Sequence, residues 1–414
     1  MPKVTHSQNR MLRLLRLIFQ RGQISRSELA EQTGYSAFLV SRMCDELLRE
    51  GLLRETGPGT STGGRPPTLL SVNHELGRLV GVHIGTVNAR VAVGDINGEL
   101  ILYRKGPSLV ERGPDYAIAH IISMIEEALR EARTSTNQLQ AIGIGISGVL
   151  DRDTGTTLFW PKVPQWVNVP VRQIFSTHFG TLVEIGDSPR TMELAERRLG
   201  AAGGVDHFIY VTVGAGVGAA LFFNGELYTG SRGFAGEFGH IPVEEDGPLC
   251  SCGNRGCVEA LVSASALIRK ARRAVQEGLT IQLWQLCGGD VERITVEMIA
   301  EAADAGDRFA VSLLTEAGMY LGRGLLSLVN LLNPALIVVS GGIAVAAGRF
   351  LMPVAEQVVR QRALSRPADH GRICLSTLGE SDWARGAAFL VAERALEDLF
   401  NSRFKGNSVL EEVS

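Results

Sequence analysis

The chain has 414 residues, 45% of them hydrophobic and 21% charged, with six cysteines and a formal net charge of −3. That length spans two or three domains of ordinary globular texture, and the composition excludes a collagen-like, low-complexity or disulfide-stapled chain. The N-terminus lacks a signal-type apolar core and the longest apolar stretch, residues 325–347, is broken by Asn330, Asn333, Pro334 and Ser340, so a cytoplasmic protein with no membrane partner is expected.

The charge is unevenly spread. Residues 1–72 carry ten Lys/Arg against six Asp/Glu, an excess of +4 that leaves −7 on the remainder. A basic head on an acidic body points to an anionic partner for the head. Within it, Met11, Leu14, Leu15 and Ile18 repeat at helical spacing ahead of Gly22, which predicts a first helix over 8–20. Ser25 starts a short second helix that ends at Thr33-Gly34. Ser36 starts a third, whose apolar face is Val40, Met43, Cys44, Leu47 and Leu48. The second and third helices, joined through a glycine, predict a helix-turn-helix, and residues 52–55 and 69–72 pair as strands around a tip rich in Gly, Ser, Thr and Pro to add a wing.

In such a head the start of the third helix faces base edges, which selects Ser36, Ala37, Phe38, Ser41 and Arg42 for DNA contact. Arg42 suits a bidentate guanine contact or a phosphate contact. Phe38 suits either the core or a thymine methyl. Arg65, in the extended Gly64-Arg65-Pro66-Pro67, is placed for a minor groove or the backbone, with a plain linker as the other reading.

From Leu79 the texture becomes α/β. Strands are predicted over 78–85, 88–95 and 99–103, a helix over 116–132 and a strand over 140–146. A comparable order returns with strands over 207–214 and 218–223, helices over 260–275 and 309–332, and a strand over 335–340. Two lobes on one plan predict a ligand cleft between them. Asp187 follows the apolar strand 182–185. Ser188 and Pro189 are expected as N-cap and first residue of the next helix, which leaves Asp187 at a strand end, open to a capping or a ligand-binding role.

Gly236-Glu237-Phe238-Gly239-His240 is followed, after nine residues, by Cys250-Ser251-Cys252-Gly253-Asn254-Arg255-Gly256-Cys257-Val258-Glu259. Three thiols and one imidazole form the closed four-ligand set of a structural Zn²⁺, with no position left for a reactive water. The competing reading, a disulfide, belongs to oxidising compartments. Glu237 and Glu259 bracket the knuckle. Two carboxylates on a backbone fixed by metal suit the vicinal hydroxyls of a sugar.

These motifs resemble the signature of the ROK family of repressors and sugar kinases, and Ala303-Asp304-Ala305-Gly306-Asp307 and Leu332-Asn333-Pro334-Ala335, leading to Ser340-Gly341-Gly342, resemble its later segments. The resemblance implies an α/β protein: an N-terminal winged helix-turn-helix (1–72), then a two-lobed actin-like (ribonuclease H-like) ATPase-type fold. Its first lobe would be 73–186 completed by a C-terminal helix 382–400, its second 187–381 with the zinc knuckle, and 401–414 a disordered tail. Carried over, His240, Cys250, Cys252 and Cys257 hold one Zn²⁺ per chain, and Asp187, Glu237, His240 and Glu259 contact the sugar, His240 giving one ring nitrogen to each task. Where the family has an Asn-Asp pair this chain has Gly186-Asp187, one amide fewer.

Kinases of the family use an Asp-x-Gly-Gly-Thr loop. Here the stretch is His83-Ile84-Gly85-Thr86-Val87, and an imidazole does not replace a carboxylate at Mg²⁺. The second loop, Gly214-Ala215-Gly216-Val217-Gly218, keeps its glycines and lacks the family's threonine. The chain has the DNA-binding head, like the family's repressors for xylose, glucose and N-acetylglucosamine, and the resemblance implies no catalytic residues. It implies a sugar-responsive repressor of carbohydrate uptake or catabolism genes, bound to double-stranded operator DNA as a homodimer or homotetramer. The alternatives are an ATP-dependent sugar kinase with an appended DNA-binding head, and a DNA-bound regulator controlled by a protein partner.

Overall fold

The apolar residues that set the helical spacing of the head lie in its core. In a computed structural model that describes residues 6–59, 66–160, 163–231, 234–364 and 371–404, Leu14, Leu15 and Ile18 of α1 (His6–Arg21) are fully buried. After the short strand β1 (Ile24–Ser25), α2 (Arg26–Thr33) opens on a capping box: the Ser25 hydroxyl accepts the Glu28 N–H at 3.2 Å and the Ser25 N–H donates to the Glu28 carboxylate at 2.9 Å. It ends on Gly34 in the left-handed region. Ser36 then caps α3 (Ala37–Arg49), which buries Val40, Met43, Cys44 and Leu47, while Leu48 is half-buried. Strands β2 (Leu53–Pro58) and β3 (Thr68–Val72) complete an antiparallel sheet in the order β1-β3-β2, with Leu53 opposite Val72.

The first lobe begins with an antiparallel meander, β4 (Arg78–Ile84), β5 (Asn88–Asp95) and β6 (Leu100–Pro107). Helix α4 (Pro114–Glu131) returns the chain to β7 (Leu139–Ile146), parallel to β4. A small sheet of β8 (Val149–Asp151), β9 (Thr156–Phe159) and β10 (Val167–Val169) intervenes, and α5 (Val171–Phe179) leads to β11 (Leu182–Asp187), parallel to β7. The sheet order is β11-β7-β4-β5-β6. Helix α6 (Ser188–Leu199) follows.

The second lobe repeats the plan. Strands β12 (Phe208–Val213), β13 (Val217–Phe223) and β14 (Glu226–Tyr228) form the meander. Helices α7 (Val258–Val262), α8 (Ala264–Gln276), α9 (Ile281–Leu286), α10 (Val296–Asp304) and α11 (Arg308–Leu332) precede β15 (Leu336–Ser340). Then α12 (Gly342–Arg362) and β16 (Arg372–Leu375) close a sheet ordered β14-β13-β12-β15-β16. The single helix expected over 260–275 is two, interrupted where Ser263 adopts an extended ψ of 160°. Contrary to the expectation drawn from 325–347, one helix, α12, has the length and apolarity of a membrane span. It is spent on the core, with Ala347, Leu351, Ala355 and Val359 buried in one cluster with Leu314, Leu321 and Leu325 of α11.

The last helix, α13 (Glu380–Phe404), returns to the first lobe. It starts two residues before the expected 382 and continues through 401–404 of the expected tail, whose remainder lies outside the described residues. The chain divides into one unit of residues 1–194 with 379–414 and another of 195–378. The division thus falls within α6 and leaves Asp187 in the first unit. Gly81 of β4 and Gly143 of β7 let α13 lie directly on the sheet, because a Cβ at either would overlap the carbonyl of Ala384 or Ala387. The far end of α13 meets the head: Arg16 pairs with Glu397, Gln20 donates to Glu393 at 3.1 Å, and Arg403 donates to the Glu50 carbonyl at 2.7 Å.

Candidate functional site

The cysteine knuckle is closed by backbone pairing. Antiparallel bridges join Pro242 to Cys257 and Leu249 to Arg255, and Cys250 N–H donates to the Asn254 carbonyl at 2.7 Å across the tight turn. Gly256 sits at φ +63°, where a Cβ would overlap the Glu244 carbonyl, so the return of Cys257 toward its partners requires glycine. Arg323 of α11 clamps the loop from outside, donating to the Glu244 carboxylate at 2.8 Å and the Val243 carbonyl at 3.1 Å.

The ligand atoms of His240, Cys250, Cys252 and Cys257 lie within 4.8 Å of one another. A tetrahedral ion with metal–sulfur bonds of about 2.3 Å and metal–nitrogen bonds of about 2.05 Å requires S···S edges of about 3.8 Å and S···N edges of about 3.6 Å. The structure has Cys252 Sγ and Cys257 Sγ 3.7 Å apart and Cys250 Sγ and His240 Nδ1 3.6 Å apart. These spacings fit a metal ion and are far longer than a disulfide bond of about 2.05 Å. Burial, then its thiol neighbours, push the Cys257 thiol up to about 12, whereas the Asn254 backbone holds Cys252 below the ordinary thiol value.

Two of the predicted sugar-contact residues stand on this frame beside His240. The segment before His240 is laid against β13, where Gly236 at φ +101° has no room for a Cβ over Ala219 and its carbonyl accepts the Ala219 N–H at 2.9 Å. Glu237 is largely exposed, with a carboxylate oxygen 3.8 Å from His240 Nε2. His240 therefore turns Nδ1 to the thiols and Nε2 to Glu237. Glu259, in the first turn of α7, accepts the Val217 N–H at 2.9 Å and so ties the knuckle to the glycine loop 214–218. That tie has no sequence signal, since its partner is a backbone group 42 positions away.

Asp187 belongs to the first unit. Its Oδ1 accepts the Arg190 N–H at 3.0 Å, so Asp187 caps α6 and the expected cap, Ser188, is the first residue inside the helix. Its Oδ2 pairs with Arg152 at 2.7 Å, a partner missed because it reaches over from the β8–β9 hairpin. Ser188 instead turns its hydroxyl to His83 Nε2 at 3.1 Å and to the Ser147 hydroxyl at 3.2 Å. His83 is buried, edge-on to Trp383 at 5.5 Å. Burial first, and the charge of Arg90 second, push its pKa down to about 3, so the imidazole is neutral at physiological pH. At Gly186 an added Cβ would stand 3.2 Å from Leu390, so an asparagine there needs Leu390 to give way.

On the head, Ser36, Ala37, Phe38 and Arg42 are exposed. Phe38 is 79% exposed, which removes the core reading for it. Ser41 is half-buried and receives Arg26 at 3.2 Å, the same arginine that pairs with Asp45 at 2.8 Å. Arg65 lies outside the described residues.

The family model described as ROK family matches residues 79–394. The chain belongs to the ROK family. A second model, winged helix-turn-helix DNA-binding, matches residues 9–54. Among ROK proteins, the xylose repressor of Caldicellulosiruptor bescii is 31% identical over 357 residues, 86% of this chain and 88% of that protein. The crystal structure of a ROK family transcriptional regulator, a homologue of the E. coli MLC protein, superposes with a TM-score of 0.76 at 27% identity over 96% of this chain and 98% of its own. A ROK family glucokinase from Streptomyces griseus, solved with glucose and AMPPNP, reaches 0.67 at 29% identity over 76% of this chain and 99% of its own. The regulator matches nearly the whole chain; the kinase leaves about a quarter of it unmatched. The fold is thus the winged head followed by actin-like lobes that the resemblance implied.

Proposed function

We propose that this ROK protein is a sugar-responsive repressor of carbohydrate uptake or catabolism genes. The winged head binds double-stranded operator DNA, and a sugar held by Asp187, Glu237, His240 and Glu259 releases it. The observation that carries this reading is the joining, in one chain, of a winged helix-turn-helix with an exposed recognition-helix start to lobes of the sugar-kinase plan. A ligand releases DNA only by binding better to the conformation that holds DNA less well. Two heads on paired half-sites call for a dimer or a pair of dimers.

One Zn²⁺ per chain at His240, Cys250, Cys252 and Cys257 has no open coordination position and supplies rigidity, not reaction. The residues around it do the recognising: His240 Nε2 and the carboxylates of Glu237 and Glu259 offer hydrogen-bond partners to neighbouring hydroxyls. The neutral imidazole of His83 supports the absence of kinase activity, because Mg²⁺ beside phosphates takes hard oxygen ligands. One observation favours the kinase as a second reading: Asp187 and the glycines of 214–218 are retained.

Selection of bound genomic fragments, followed by release with a sugar panel and an ATP-dependent phosphorylation assay on the same sugars, tests the two together. Release without turnover is expected. Phosphorylation that vanishes in Asp187→Asn selects the kinase.

A further inference from the structure

A cavity of about 160 Å³ opens in the first unit and is lined from β11, α5, α6, α13 and the β8–β9 hairpin. Four of its lining residues are arginines, Arg152, Arg172, Arg190 and Arg394, and Glu184 is its one acid. Guanidinium groups gathered in so small a space repel unless anions offset them. Glu184 is already spent, with one oxygen on Arg172 and the other on Arg394, each at 2.7 Å. Arg152 is taken up by Asp187.

Arg190 is left. Its backbone N–H caps on Asp187, but its buried Nε has no hydrogen-bond partner among the described residues, and neither has the buried Nε of Arg172. Burial first, then the charge of Arg152, lower the pKa of Arg190 in spite of Asp187, Glu193 and Glu184 nearby. Its charge is incompletely offset.

We propose that this cavity binds a phosphate dianion, either free phosphate or the phosphomonoester of a small metabolite. Planar guanidinium forks match phosphate oxygens in pairs, and a phosphate has acceptors enough for several forks at once. The volume equals about five waters, room for one phosphoryl group, and the cavity is open to solvent, so the remainder of an ester would lie outside it. Arg190 also stands in the first turn of α6, twelve residues long, whose N-terminal dipole adds to the attraction. Arg394 and Leu390 bring α13 into the wall, and Glu393 and Glu397 of the same helix hold Gln20 and Arg16 of α1, so an anion here touches the helix on which the head is seated. The site stands on unit-one residues alone and does not depend on the sugar assignment.

Calorimetry on the full chain at constant ionic strength, with inorganic phosphate, a hexose 6-phosphate and the free hexose, tests it. Saturable phosphate binding is expected, weakened at least tenfold in Arg190→Gln and in Arg394→Gln and kept in Arg42→Gln of the head. Arg394 is 61% exposed in its side chain, so its variant keeps the fold if Arg190→Gln does not. An ester more than tenfold tighter than phosphate, with that gain lost in Arg394→Gln and absent for the free hexose, assigns the site to the ester, and equal affinities assign it to free phosphate. No saturable phosphate binding by the wild type, or undiminished binding by Arg394→Gln, overturns the proposal.

Discussion

Single side chains in this protein carry two tasks each, and the tasks can be separated by substitution. His240 faces the thiols with Nδ1 and Glu237 with Nε2, so removing it would confound the proposed metal with the proposed sugar contact. Cys252, the exposed cysteine of the cluster, is the cleaner position. Cys252→Ser should drop bound zinc from about one per chain to none by elemental analysis and weaken sugar binding through the loosened Glu259. Zinc retained at wild-type stoichiometry would remove Cys252 from the ligand set. Asp187 both caps α6 and pairs with Arg152, so Asp187→Ala mixes the loss of a cap, about 1 kcal/mol, with any loss of ligand binding. Asp187→Asn keeps a capping oxygen and gives up the charge and with it the pairing with Arg152.

His83 gives a pH signature. Its folded pKa of about 3 lies below the unfolded value near 6.5, so the unfolded chain takes up a proton first as pH falls. Its contribution to stability is therefore full above about pH 6.5 and declines below it by on the order of 1.4 kcal/mol per pH unit toward pH 3. In His83→Gln the difference from wild type should change along that slope between pH 7 and pH 5 in denaturant titrations. A constant difference across that range would mean that folding does not shift the His83 pKa, and a difference that changes in the opposite sense would mean that His83 is protonated in the fold.

At the scale of elements, α3 presents Ser36, Ala37, Phe38 and Arg42 to solvent while Arg26 of α2 braces it through Ser41 and Asp45. Arg42→Ala should cost about 1–3 kcal/mol in operator binding and relax preference at one base pair if the guanidinium reads guanine. An equal loss on every sequence, measured by competition binding, reassigns it to phosphate. The elements legible in the sequence were those with a local cause: the helix start at Ser25, the apolar runs of β4, β5, β7 and β12, and the clustered thiols of the knuckle. Those that were missed include β8 to β10, β14, β16, α5, α9 and α10, which are short and draw their stability from neighbours distant in sequence, and the 21-residue α12, whose burial against α11 has no signal in its own sequence. The same holds within the site. Arg152 on Asp187, Val217 on Glu259 and Arg403 on Glu50 join residues 35, 42 and 353 positions apart, and no local pattern encodes such a partner.

For the whole molecule, a head with an excess of +4 precedes a remainder at −7, so operator affinity should fall steeply with added salt as counterions are released from the phosphates. Helix α13 gives the head a physical connection to the first lobe, running on β4 and β7 and ending against α1 and Glu50. On the proposed function, this connection would be the route by which a ligand that distinguishes two conformations of the lobe acts on the head. The most direct measurement is operator release at fixed salt: the purified chain on its selected DNA, titrated with a panel of sugars, in wild type and Asp187→Asn. One sugar should dissociate the wild-type complex, and the variant, with unaltered affinity for DNA in the absence of sugar, should need about tenfold more of it. Release of both proteins at the same sugar concentration, or no effect of any sugar on DNA affinity, would contradict the account.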